Sequence, residues 1–327
     1  MILVEECRLR LDDPVDRFLP ELSDRKVLKR LDGPLDETVA AKRPITLRDL
    51  LTFRMGFGII RGPSAQYPIL KAMTDNGIVI GPKSDSPHPP DEWIKRFATL
   101  PLMDQPGEKW RYHTGYDVLG VLVARASGQP LEVFFRERIF EPLGMKDTSF
   151  AVPASKLNRL SSAYRVNPKT GALGLYDDSA ASQWSRAATF PAGGAGLVST
   201  ADDYLAFVQM LLNKGKHGTH RNILSRPSIE IMTADHLSPD QKAGASLLPG
   251  YFDTHGWGFG VSIVTKRTGL AFSVGTYGWD GGTGVSWRSD PREEMITVLL
   301  TQRLMSSPNP PDVFLDFWTG AYQAIDD

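Results

Sequence analysis

Trp110-Arg111-Tyr112-His113-Thr114-Gly115, running on through Tyr116 to Ala126 and Gly128, places polar, chemistry-bearing residues at the lip of a helix. Val118, Leu119, Leu122, Val123 and Ala126 recur at helical spacing, which predicts a helix over Tyr116 to Ala126 that stops at Gly128. The turn Gln105-Pro106-Gly107 precedes it. A tyrosine so placed can pass protons if neighbouring cations lower its pKa, and the hydroxyl of Thr114 can orient a substrate or a base. The bland alternative stays open at this point: a tyrosine before a helix more often caps a core with its ring and gives its hydroxyl to a carbonyl.

Around this stretch the pattern is mainly helical. Thr46-Leu47-Arg48-Asp49 reads as a capping box, Asp91 to Leu100 sets Trp93, Ile94 and Phe97 on one side, Leu131 to Phe140 precedes Pro142, and Ser199-Thr200 caps a helix reaching Gly215. Residues 61–90, rich in Gly, Pro and Ser, read as a long surface excursion. The end differs. Phe259 to Thr265, Ala271 to Thr276, Val285 to Arg288 and Met295 to Thr301 are short strand-like runs of an antiparallel meander, and an amphipathic helix over Asp312 to Ile325 would cover one face. The expected fold class is α+β, with residues 1–255 forming the mostly helical region and 256–327 the antiparallel strands and covering helix of the same domain.

With 327 residues, 41% hydrophobic and 23% charged, the composition is that of a globular protein, and a net charge of -1 offers no field for nucleic acid or anionic lipid. No apolar run approaches the roughly 20 residues of a membrane span. Cys7 is the only cysteine, so no internal disulfide or thiolate cluster forms, and it reads as an idle thiol where a helix should stop. No metal or cofactor is expected. His217-Gly218-Thr219-His220 has a zinc-like spacing but reads as a solvent loop, Asp235-His236 lacks a serine elbow, and the paired acids Glu5-Glu6, Asp12-Asp13, Asp202-Asp203 and Glu293-Glu294 read as caps and solvated faces.

A second candidate is Tyr277-Gly278-Trp279-Asp280-Gly281-Gly282-Thr283-Gly284, whose glycines let backbone approach a ligand and aim amides at an oxyanion, or else form a hairpin turn with a glycine bulge. Taken with Tyr112, it resembles the serine β-lactamase and penicillin-binding protein superfamily, in particular the class C β-lactamase-like esterases called family VIII carboxylesterases. Arg8 to Leu22, Ile45 to Gly58, Tyr112 to Gly128, Pro142 to Phe150, Gly193 to Phe207 and Gly278 to Arg288 carry the resemblance. It implies a β-lactamase/transpeptidase-like fold and acyl-ester hydrolysis through an acyl-enzyme. Tyr112 would act with a lysine as general base, Trp279-Asp280-Gly281 would match the Lys-Thr-Gly motif of β-lactamases, and Gly282 would supply an oxyanion amide. Thr114 and Trp279 would line the acyl pocket, and as departures from the Asn and Lys of β-lactamases they favour a small-molecule ester over a β-lactam.

The resemblance also implies a Ser-x-x-Lys on a buried helix. Leu3 to Arg8 matches that helix's tail, so the nucleophile is expected about ten residues before Met1, with the first helix and strands of the fold. The start thus reads as a truncation, leaving an incomplete sheet through which copies would associate, and with no signal peptide in view the cytoplasm is the expected compartment. Ser23-Asp24-Arg25-Lys26 and Lys169-Thr170-Gly171 fit family motifs by letters but read as a charged surface segment and a turn. Three functions follow: an esterase-type hydrolase, a non-catalytic remnant or ligand-binding pseudoenzyme, and a β-lactamase or D-Ala-D-Ala carboxypeptidase-like activity.

Overall fold

Apolar spacing decides most elements. The computed structural model describes residues 1–327 apart from Ser64, Ser84, Thr219, His220, Ser246, Asp327 and the side chain of Arg221. In chain order come α1 (Ile2–Glu5), β1 (Lys26–Leu28), β2 (Thr38–Ala40), α2 (Leu47–Leu51), α3 (Pro68–Asp75), α4 (Pro90–Ala98), α5 (Thr114–Ser127), α6 (Leu131–Phe135) and α7 (Glu141–Leu143). They are followed by β3 (Ala163–Val166), β4 (Leu173–Asp177), α8 (Ala201–Leu212), β5 (Lys216–His217), β6 (Arg221–Asn222), α9 (Arg226–Met232) and α10 (Pro239–Ala243). The last are β7 (His255–Trp257), β8 (Ser262–Val264), β9 (Tyr277–Gly281), β10 (Val285–Asp290), β11 (Met295–Leu300) and α11 (Asp312–Gln323). No single helix among the described residues is long and apolar enough to cross a membrane.

The elements fall into two units. The first comprises Met1–Phe135, Thr189–Gly196 and Leu237–Pro249. Its core forms where α5 turns Val118 and Leu122 inward, α4 stacks Trp93 on Phe97 and Phe190, and Leu19, Leu50 and Phe57 close the space. Each such side chain contributes about 1.5–3 kcal/mol by leaving water. Thr46 caps α2 in a full capping box with Asp49, and Gly128 ends α5 at φ 72, both as the sequence requires. The four-residue α1 has no side-chain cap; burial of Leu3 against Ala126 and Phe134 holds it, and Cys7, exposed at φ 57, ends it.

The second unit comprises Arg136–Ala188, Leu197–His236 and Gly250–Asp327. Its centre is a five-stranded antiparallel meander ordered β11-β10-β9-β8-β7, with Trp287 facing Trp279 on one side and Val298 on the other. One stripe of α11, Phe314, Trp318 and Tyr322, is buried, as amphipathic spacing demands.

Several expectations need correction. Within 61–90, Pro68 opens helix α3, whose Ile69 and Met73 are buried; the glycines and prolines on either side mark its boundaries. Residues 271–276 form no strand. The strand lies one step later, over Tyr277–Gly281, because the pairing with β8 and β10 claims that backbone and Gly278 fits where a Cβ would sit 2.0 Å from the Trp287 carbonyl oxygen. Lys169-Thr170-Gly171 is the turn of the β3–β4 hairpin, whose strands are short and largely exposed and so give no clear alternation.

Candidate active site

In the first unit, α5 begins at Thr114, and Tyr112 stands just before it, half-buried. Its carbonyl accepts the Ile59 amide at 3.0 Å, and the Phe53 carbonyl accepts the Arg111 amide at 2.7 Å. The Tyr112 ring meets the edge of Phe53 at 5.1 Å and stacks beside Trp110 at 5.8 Å between centroids. Chain and ring are therefore both fixed. The cations next to it in sequence are tied to buried Asp104, Arg111 at 2.6 Å and Lys109 at 3.0 Å, and thereby set the approach of the chain. Thr114 is fully buried, and its hydroxyl has no hydrogen-bond partner among the described residues.

The sequence reading passed over His113 and Asp117. Asp117 Oδ1 accepts the Gly194 amide at 3.1 Å, and its Oδ2 lies 3.6 Å from His113 Nε2, with both side chains buried. Burial pushes the Asp117 carboxyl up to about 7 and the His113 imidazole down to about 4, so each favours its neutral form. The only sequence signal was their i, i+4 spacing across a helix start.

The signs of the two shifts oppose each other. The stability tied to neutral Asp117 is full below its unfolded pKa of 3.8 and is lost as pH rises through about 7. That of neutral His113 is full above 6.5 and is lost as pH falls through about 4. Asp117→Asn is therefore expected to gain stability relative to the parent as pH rises from 4 to 7, by an amount on the order of 4 kcal/mol at most. Urea unfolding at several pH values checks this, and a constant difference across the range refutes it.

In the second unit, Trp279 on β9 is half-buried and meets the edge of Trp257 at 4.7 Å and of Tyr251 at 6.0 Å. His255 stacks on Tyr251 at 4.2 Å. Burial pushes the Tyr251 phenol up to about 12 and the His255 imidazole down to about 4, so this aromatic wall is uncharged near pH 7. Asp280 is held in a bidentate pair with Arg288 at 2.8 and 2.9 Å. Gly281 and Gly282 lead into a tight hairpin closed by the Gly284 amide on the Gly281 carbonyl at 2.9 Å, with Gly284 at φ 90. Hairpin and amide display coexist here: the exposed Gly282 amide donates to no described residue.

Residues 1–315 match the family model described as Beta-lactamase. The chain belongs to the Beta-lactamase family. An uncharacterized protein of Mycobacterium tuberculosis is 36% identical over 321 residues, covering 97% of this chain and 75% of its own. Esterase EstB of Burkholderia gladioli is 30% identical, covering 94% of this chain and 75% of its own. Among solved structures, EstCE1, a hydrolase with promiscuous acyltransferase activity, matches with a TM-score of 0.74 and 25% identity over 98% of this chain and 78% of that one.

Within this Beta-lactamase-family chain the motifs matched only by letters separate from the chemistry. Ser23 follows a single 3-10 turn with extended backbone, its hydroxyl donates to the Pro20 carbonyl at 2.7 Å, Asp24 is left-handed at φ 51, and Lys26 opens β1. Serine and lysine there are not one helical turn apart. Asp235 accepts the Trp257 amide at 3.1 Å, while the ring of His236 stacks on Phe259, both structural roles. Thr219 and His220 of the zinc-like spacing lie outside the described residues. Among the described residues no group of three His, Cys, Asp or Glu could hold a metal. Of the paired acids, Asp12 binds Arg48 and Asp203 accepts the Thr148 hydroxyl and the Asp147 amide.

Proposed function

We propose that this protein is an acyl-ester-binding member of its family, of the esterase and acyltransferase kind rather than the β-lactamase kind. Trp279 carries the reading. At the place the resemblance gives to a carboxylate-binding lysine stands an indole in an uncharged aromatic wall, a surface for an acyl chain or ester and not for an anion. Tyr112 is assigned the proton, Thr114 a contact to the acyl group, and the Gly281-Gly282 turn an amide for the oxyanion. Esterase EstB and the hydrolase EstCE1 as relatives support the same substrate class.

Turnover is a separate matter. An acyl-enzyme route needs a serine activated by a lysine one helical turn away, and the geometry of Ser23 and Lys26 does not supply that pair. Treatment with a fluorophosphonate followed by intact mass, beside calorimetry with a short-chain ester and an assay with a chromogenic cephalosporin, tests both readings. The expected result is saturable ester binding, no adduct on Ser23 and no cephalosporin hydrolysis. Thr114→Val is expected to weaken ester binding about tenfold or more, while leaving stability unchanged or raising it by about 1 kcal/mol, because it removes an unsatisfied buried hydroxyl. Absence of ester binding, or an adduct that Ser23→Ala abolishes, overturns the proposal.

A further inference from the structure

Tyr112 is followed by a residue in an unusual conformation. His113 has φ 84 and ψ -70, a left-handed turn that glycine adopts freely and an L side chain adopts only at a cost. The turn joins two fixed ends. On one side the Tyr112 carbonyl is held by the Ile59 amide, and on the other Thr114 is the first residue of α5. A histidine in place of the easier glycine must therefore gain through its ring. That ring is buried, its Nε2 has no hydrogen-bond partner among the described residues, and Asp117 Oδ2, one helical turn on, lies 3.6 Å from it. The other oxygen of Asp117 is pinned by the Gly194 amide. A Cβ on Gly194 would lie 3.0 Å from that oxygen and 3.4 Å from the imidazole, so the 189–196 segment closes over the pair as tightly as a glycine allows.

We infer that His113 and Asp117 are positioning residues: clamped by Gly194, the pair holds the left-handed turn between Tyr112 and Thr114 and thereby fixes the direction of the Tyr112 phenol. The inference rests on the proposed function only for naming Tyr112 as the working phenol. At 3.6 Å the two groups make no hydrogen bond; burial keeps each of them neutral, and they are held against one another by packing under Gly194. The titratable group facing it from outside is Tyr112, whose ring lies 5.7 Å from the imidazole; the 189–196 segment contributes the uncharged Gly194 amide.

NMR of the full 327-residue chain, labelled with 13C at tyrosine Cζ and 15N in histidine rings, tests this without any need for ester turnover. Asp117→Asn keeps an acceptor for Gly194 and a neutral polar group of the same shape beside His113, and is expected to leave the Tyr112 phenol resonance and its titration in place. Asp117→Leu, similar in volume but with neither function, is expected to shift the Tyr112 phenol pKa by half a unit or more and to alter the His113 nitrogen shifts. His113→Gly tolerates the turn but lacks the ring, and is expected to broaden or move the Tyr112 resonance; it serves if Asp117→Leu does not fold. A purely structural role would lower the melting temperature of Asp117→Leu and His113→Gly and leave Tyr112 unmoved. An unmoved Tyr112 in a folded Asp117→Leu or His113→Gly overturns the inference, whereas loss of ester binding with Tyr112 properly coupled to the pair would strike the proposed function alone.

Discussion

Asp280→Ala is expected to cost about 3–5 kcal/mol, since it leaves a buried guanidinium without its counter-charge. The side chains of Arg288 and Asp280 are only 8% and 10% exposed. Asp280 is diagonal to Arg288 across the β9–β10 ladder, where it opposes Ser286 and Arg288 opposes Gly278. The guanidinium also lies 4.8 Å from the centroid of Trp318 and 5.6 Å from that of Phe272, so α11 and the loop between β8 and β9 close over it and shut out water. Removing one charge forfeits the bidentate hydrogen bonds and keeps the desolvation cost of the other. Removing both does not. The double variant Asp280→Leu, Arg288→Met should recover most of the loss, because apolar side chains suit the aromatic cover. Urea unfolding followed by tryptophan fluorescence distinguishes the cases; a loss below about 1 kcal/mol in the single variant would show that water reaches the pair. The pair also explains why Asp280, in the middle of a motif that invites a catalytic reading, is structural.

Gly58→Ala should have the second large effect, and it acts on the site. A Cβ at Gly58 would lie 2.5 Å from the Tyr112 carbonyl oxygen and 2.6 Å from that of Arg111. Both are backbone atoms, so no rotamer change relieves the clash and one segment has to move. Overpacking of this kind costs about 1–3 kcal/mol or more. The displaced segment carries Tyr112, and under the proposed function a shift of about 1 Å there can cost about 100-fold in a positioned reaction. Lower stability together with a moved Tyr112 resonance and weaker ester binding is the expected result. Gly320→Ala is the control: nothing lies within 4 Å of a Cβ there, and within α11 the change should stabilise by about 1 kcal/mol. Equal effects from the two substitutions would refute the steric account.

Helices α2, α4, α5, α8 and α11 were legible because each announces itself locally, by a capping hydroxyl, a terminal glycine or an apolar stripe. The antiparallel meander was legible for the same reason, yet β7 was missed and β9 was placed just ahead of its true position. Its glycines mark a turn in any local reading, and only the pairing partners make Gly278 part of a strand. Of the site, Tyr112 and Trp279 stood out through a resemblance that single residues do not carry. His113 and Asp117 stayed hidden, because burial and not residue type gives a histidine and an aspartate their neutral forms.

The sequence by itself determined the family, the α+β class and the identity of the residues at the Tyr112 and Trp279 motifs, since these rest on order and local periodicity. Only the tertiary structure decided that Ser23 and Lys26 are not a helical pair, that Asp280 is consumed by Arg288, and that His113 turns left-handed beside a buried carboxyl. The physical reason is common to all three. Hydrogen bonding, ion pairing and desolvation depend on which groups meet in space, and the chain between them leaves no trace of that meeting in its local pattern.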